Sequence, residues 1–325
     1  MNLSAFETFF PEKRPFFTEG AAIFNAVSGY FYSRRIGGTP SGEAEGDAVQ
    51  YPRSSEILAA AKISGRSASG LTMGGLFALT AQEEASIYDA TSQTVSEVTV
   101  GPRTGYGVVR LRQELGRNGS GIGLFLAGVT RDFQKTDPLA ALYNKNAFTA
   151  YVDFEHRFAN RTYEVSGNLG YTRVTGEPAD IERLQRSSAR YFQRPDATHV
   201  SLDPTRTRLD GASGNLSFSK GEGSWIFDVG AGFESPEHER NDVGSLQTAD
   251  GVTGFGAFAY RQTKPGLFYF WQAGLSANVE NNYAGELQRQ RVGAEAQVTW
   301  PFRAPPVSSD ACRSPATRTG APAST

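Results

Sequence analysis

The stretch AFTAYVDFEHRF, residues 147–158, decides the fold. Phe148, Ala150, Val152 and Phe154 point one way, while Thr149, Tyr151, Asp153, Glu155 and Arg157 point the other. Period-two alternation of this kind marks a strand with one apolar and one polar face. After the short turn ANR the pattern resumes in TYEVSGNLGYT, 162–172. There Tyr163, Val165, Gly167, Leu169 and Tyr171 oppose Glu164, Ser166, Asn168 and Thr172.

Nine more segments read the same way: 57–65, 70–81, 106–115, 121–130, 212–219, 225–235, 252–262, 267–279 and 291–300. Their length, roughly ten residues, is that of a tilted membrane-spanning strand. The connections carry a second signal. Short turns alternate with long polar loops at 82–104, 131–146, 175–210, 236–251 and 280–290. Bacterial outer-membrane barrels have short periplasmic turns and long extracellular loops, whereas a soluble β-sandwich needs no such alternation. Aromatics gather near strand ends (Tyr151, Phe158, Tyr163, Tyr171, Trp225, Phe233, Tyr269, Trp271, Trp300), as interfacial girdles would. The expected fold is therefore all-β, an antiparallel outer-membrane β-barrel. Eleven strands is an odd number where single-chain bacterial barrels close with an even one. Either the count is off by one or the barrel is incomplete.

Composition agrees. With 32 basic and 34 acidic residues interspersed, a net charge of −2 and a pI near 6.0, no basic surface offers itself to nucleic acid. Thirty-six glycines and 12% aromatics suit strands joined by tight turns. Mean hydropathy is −0.39, and no run approaches the roughly 20 apolar residues of a membrane helix. The single cysteine, Cys312, excludes a disulfide framework and paired thiolate ligands. The start, MNLSAFETFFPEKR, has no basic-then-apolar secretion signal, so the chain reads as cytoplasmic or as a fragment. Three regions follow: a charged, aromatic N-terminal segment (1–54) folded over or into the lumen, barrel strands (55–302), and a Pro/Ala/Ser/Thr-rich disordered tail (303–325).

The motifs NLSAFETFFPEKRPFFTEG (2–20) and FYSRRIGG (31–38), with YFQRPDATH (191–199) and SPEHERNDVGSLQTAD (235–250), resemble a Gram-negative family of uncharacterised outer-membrane proteins. Its members typically carry a signal peptide and a family-nine carbohydrate-binding-like domain before a barrel of unknown function. The resemblance implies a central barrel fragment located in the cell outer membrane. It also implies contact with outer-membrane lipid and the barrel-assembly machinery, and a link to carbohydrate through a domain not contained in this sequence.

Chemistry-bearing residues are few. His156, His199 and His238 lie in no nucleophile motif, so no catalytic residue is assigned. No cofactor or metal is expected; the PEHERND cluster (236–242) reads as a solvated loop. Asp153 and Glu155 share a strand face at a spacing a glycosidase pair could use, but Arg157 continues the row as a charge ladder. Residues 176–192 have helical spacing at Ile181, Leu184 and Ala189. Glu12, Lys13, Arg14, Arg34 and Arg35 suit no lipid-facing surface, where charge costs about 2–4 kcal/mol near the midplane. With Asp153, Glu155 and Arg157 they form the candidate network, bracing the barrel or constricting its lumen. The expected function is a pore or surface-binding module tied to carbohydrate binding or uptake. The alternative is an outer-membrane hydrolase acting on glycans through lumenal or loop carboxylates.

Overall fold

The computed structural model describes residues 8–25, 29–262, 264 and 266–300, so the tail from 303 lies outside the described residues. Its strands are β1 (Ala48–Gln50), β2 (Ile57–Arg66), β3 (Leu71–Thr80), β4 (Glu83–Asp89), β5 (Thr94–Gly101), β6 (Arg103–Leu115) and β7 (Ser120–Asp132). They continue as β8 (Asn146–Phe158), β9 (Tyr163–Thr175), β10 (Arg208–Lys220), β11 (Trp225–Glu234), β12 (Gly251–Gln262), β13 (Phe270–Asn281) and β14 (Leu287–Thr299). Three short helices accompany them: α1 (Pro15–Thr18), α2 (Ala22–Asn25) and α3 (Pro178–Arg186).

Eleven strands form one antiparallel sheet in the order β14-β13-β12-β11-β10-β9-β8-β7-β6-β3-β2. These are the eleven segments that alternate in the sequence. The sheet is open: β2 and β14 are its two edges, and the described strands do not close on each other. The stretch 82–104, expected to be a long loop, instead folds as the hairpin β4–β5, to which β1 adds a third strand. Ala85 and Val100 are its buried core, and the Asp89 carboxylate closes the turn by accepting from the Thr91 and Ser92 amides at 2.8 and 2.9 Å. The stretch 280–290 is a correction too. It shrinks to the turn 282–286, where the Asn282 side chain donates to the Glu286 carboxylate at 2.7 Å and accepts from the Glu286 amide at 2.9 Å.

Cross-strand partners share a face, so the register divides the sheet into an inner and an outer side. The inner side carries Arg110, Phe125, Thr149, Tyr151, Thr172 and Ser213, all buried. The outer side carries Phe77, Leu111, Ile122, Phe148, Val152, Phe154, Leu169, Leu216, Phe258, Leu275 and Val292, all exposed. Apolar groups outside and polar groups inside invert the ordinary globular arrangement. On β10, Asp210 and Lys220 are the outward charges at either end, with Ala212, Gly214, Leu216 and Phe218 between them. Ten residues of strand rise about 34 Å, or about 24–28 Å along the axis at a barrel's usual tilt. On β9 the outward residues from Val165 to Tyr171 are likewise free of charge, and Arg173 begins the polar rim.

Aromatic rings line the turn end of the outer face. Phe158, Tyr163, Phe218 and Phe227 follow one another with ring centroids 5.2–5.9 Å apart. Trp225, Tyr260 and Trp271 continue the row at 4.7 and 5.3 Å, and Trp300 meets Phe268 at 5.2 Å. Tyr151, expected in such a girdle, is on the inner face instead, against Tyr30 at 4.3 Å. Its register with Asp153 dictates that placement.

The core lies between the inner face and segments folded onto it. Phe24 packs by Gly74 of β3, Tyr30 bonds Ser213 of β10, and the Tyr106 hydroxyl of β6 donates to the Arg35 carbonyl at 3.3 Å. The expected helix in 176–192 forms as α3, with Pro178 in its first turn and Ile181 and Leu184 buried against the core. Gly211 matters by close approach: a Cβ there would collide with the backbone of His238, so this glycine lets the loop 235–250 lie on β10.

Candidate functional site

The strand charges Asp153, Glu155 and Arg157 do come together. Arg110 holds Asp153 with two bonds of 2.5 and 3.0 Å, and Arg112 bridges Asp153 at 3.5 Å and Glu155 at 3.0 Å. Arg157 pairs with Glu155 and, at 2.8 Å, with Glu164. Three guanidiniums and three carboxylates thus form one ladder across β6, β8 and β9. Asp153 and Glu155 are both engaged on arginines, the arrangement of a structural network rather than of a general acid facing a nucleophile.

The N-terminal charges form a second, separate group. The Glu12 carboxylate accepts from the Lys13 and Arg14 amides at 2.9 Å each, from the Ser33 hydroxyl at 2.7 Å and from the Arg14 guanidinium at 2.7 and 3.0 Å. Arg14 also donates to the Ile36 carbonyl at 2.7 Å and the Ser33 carbonyl at 3.0 Å, and covers the Phe17 ring. Burial would raise the Glu12 carboxyl, but the bonds from Arg14 and Ser33 outweigh it and bring it down to about 2. The stretch FFPEKRPFFTEG is therefore clipped onto FYSRRIGG. Arg35 donates to the Gly244 carbonyl at 3.0 Å, Arg34 lies over the Phe10 ring, and Lys13 is exposed. Among the described residues, none of Glu12, Lys13, Arg14 and Arg34 bonds a member of the Asp153 ladder. The segment reaches the sheet through Lys62 of β2, which donates to the Phe16 and Glu19 carbonyls, and through Tyr30.

Sequence reasoning missed the pairs that fasten the loop 235–250. Asp242 binds Arg131 at 2.6 Å and the Asn144 amide at 2.7 Å. Glu239 pairs with Arg190 at 2.9 Å, both side chains nearly inaccessible, and Arg190 also donates to the His238 carbonyl. Arg240 pairs with Glu234 at 2.6 Å and lies over the Tyr30 ring at 4.9 Å. His238 is 3.2 Å from both Thr172 Oγ1 and the Arg240 guanidinium. Burial, then the charges of Arg240 and Arg190, push it down to about 3. A neutral ring whose Nε2 accepts from Arg240 carries its proton on Nδ1 and donates it to Thr172. The only sequence signal was the density of charge in EHERND. Among the described residues, no group of three or more His, Cys, Asp or Glu is placed to hold a metal ion.

The motifs that carried the resemblance are thus the ones that tie segment to loop. A family model described as a domain of unknown function, DUF5916, matches residues 1–304. The chain belongs to this family. No curated protein matches the sequence.

In this DUF5916 chain the clipped segment, α3 and the loop 235–250 line an open cavity of about 1160 Å³ at the loop end of the sheet. Seven arginines line it against three carboxylates, Glu56, Glu239 and Asp242. A smaller cavity of about 320 Å³ lies beneath Tyr30, between Tyr151, Asn168, Asn215 and Glu234. Asp180 of α3 sits beside the larger one, fully buried. Burial raises its carboxyl to about 6, although the Arg183 guanidinium at 2.6 Å opposes the shift.

Proposed function

We propose that the eleven-stranded sheet is the wall of a bacterial outer-membrane β-barrel. Its outer face rests on lipid, and its inner face is filled by the N-terminal segment and the long loops. The single observation that supports this reading is the charge-free outer band from Asp210 to Lys220, edged by aromatic rings. Its estimated height, about 24–28 Å, matches the apolar band of about 25 Å on outer-membrane barrels. An exposed apolar surface of that extent in water is an aggregation liability, whereas in lipid it is the stable arrangement. In the membrane the module works as a pore or a surface-binding protein tied to carbohydrate binding or uptake, and it reaches the membrane through the barrel-assembly machinery. The long loops and the large cavity form the outer, solute-facing end.

Refolding from urea into phosphatidylcholine vesicles tests the reading. The expected result is a β-sheet circular dichroism spectrum in vesicles, protection of the strands from protease, and heat-dependent migration on gels. A monomer that folds in detergent-free buffer and ignores vesicles would contradict it.

A further inference from the structure

The arginines around the 1160 Å³ cavity are not all matched by carboxylates. Arg14 pairs with Glu12, Arg131 with Asp242, Arg183 with Asp180 and Arg190 with Glu239, at 2.6–2.9 Å, and Arg35 is held on the loop by the Gly244 carbonyl at 3.0 Å. Arg34 and Arg53 are different. Both line the cavity and both are exposed, and among the described residues neither side chain makes an ion pair. The Arg34 guanidinium lies over the face of Phe10, 5.8 Å from the ring centroid.

On a concave surface the fields of neighbouring charges add, so an exposed guanidinium there attracts anions. Its planar fork then grips carboxylate or phosphate oxygens two at a time. Ser54 and Ser188 also line the cavity and add neutral donors and acceptors for hydroxyl groups. The buried pairs Arg131–Asp242 and Arg190–Glu239 line the same cavity. Their carboxylates are already engaged; the third lining carboxylate, Glu56, is exposed and in no ion pair among the described residues, so an entering anion is held on the Arg34 and Arg53 forks clear of it. The volume lies slightly above the 300–1,000 Å³ usual for small-molecule sites, which suits a solute of several rings.

We infer that this cavity binds a hydroxylated organic anion carrying at least two carboxylate or phosphate groups, gripped by Arg34 and Arg53. The inference deepens the proposed role of the loop end and rests on it for its biological setting. The binding chemistry itself does not require a membrane.

The full chain, folded in detergent and checked by circular dichroism, is titrated calorimetrically with a galacturonate trisaccharide and, as a neutral probe, maltotriose. Tight, salt-sensitive binding of the galacturonate alone is expected. Arg34→Ala with Arg53→Ala should weaken it at least tenfold, while Arg34→Lys with Arg53→Lys, which keeps charge but loses the fork, should weaken it severalfold. Arg291→Ala on β14, away from the cavity, should change nothing. Equal binding of maltotriose, or unchanged galacturonate binding by the double alanine variant, would overturn the inference. So would the absence of galacturonate binding by a folded wild-type chain. Vesicle insertion is read separately, so a failure here leaves the lipid-facing sheet standing, and a failure there leaves the anion site standing.

Discussion

On β8, Val152 is 42% exposed, yet the next residue, Asp153, is tied to Arg110, whose side chain is 1% exposed. The same contrast recurs from β6 to β9: exposed apolar groups such as Leu111, Ile122, Phe154 and Leu169 on the outer face, and paired charges such as Arg112, Arg131, Glu155 and Glu164 on the inner one. On the proposed lipid-facing reading, two solvents explain it. A lipid-facing surface tolerates no charge and needs no partner, whereas a protein-filled interior can hold charge only if each group finds its opposite. The outer face is thus specified by composition alone, and the inner face by pairing.

The sharpest way to break the inner rule is to orphan one member of a fully buried pair. Arg190→Ala leaves Glu239 without its guanidinium, and such a loss costs about 3–5 kcal/mol. Urea unfolding in detergent should fall by that amount, and a drop below about 1 kcal/mol would show that pairing does not govern this face. Breaking the outer rule comes next. Leu169→Arg should cost about 2–4 kcal/mol in vesicles, whereas the inward neighbour change Asn168→Arg should cost less. Equal costs at 168 and 169 would erase the distinction.

Acid gives a smaller effect with a definite sign. His238 is held at about 3 against an ordinary 6.5, so the docked loop binds fewer protons than the released one between those values. Docking is complete above pH 6.5 and weakens as pH falls toward 3. Glu12, lowered from 4.5 to about 2, adds a loss over that lower window. Asp180, raised from 3.8 to about 6, favours the folded form as pH falls through its own window and offsets part of the His238 loss. Proteolysis within 235–250 should run roughly three- to tenfold faster at pH 5 than at pH 7.5. His238→Gln should flatten that difference. The smallest effect belongs to a solvated pair near the turns: Arg66→Ala, opposite Glu114 at 2.6 Å with both side chains exposed, should cost less than about 1 kcal/mol.

The same contrast explains what the sequence made legible. All eleven strands of the sheet could be read, because a face that meets one solvent imposes strict period-two alternation on each strand separately. The hairpin β4–β5 could not, since one face mixes Ala85, Ile87 and Val98 with Ser96 and Thr94, the other carries Glu84, Ser86, Glu97 and Thr99, and its buried core is little more than Ala85 and Val100. The Glu12–Arg14 clip is local and was visible as a charged motif, although its partners Ser33 and Ile36 were not. Arg131–Asp242 and Arg190–Glu239 join residues far apart in the chain, so only the folded register brings them together. Tyr151 shows the limit in one residue. Counting aromatics placed it in a girdle, while its alternation with Val152 placed it inside.

Alternation across β9 tests the account most directly. On a Cys312→Ser background, single cysteines from position 163 to 173, labelled with a polarity-sensitive probe, report lipid or water residue by residue in vesicles. The account predicts lipid contact at 165, 167 and 169, and an aqueous or protein-covered environment at 164, 166 and 168. Water contact at 165, 167 and 169, or no alternation at all, would contradict the claim that the outer face of this sheet rests on a membrane.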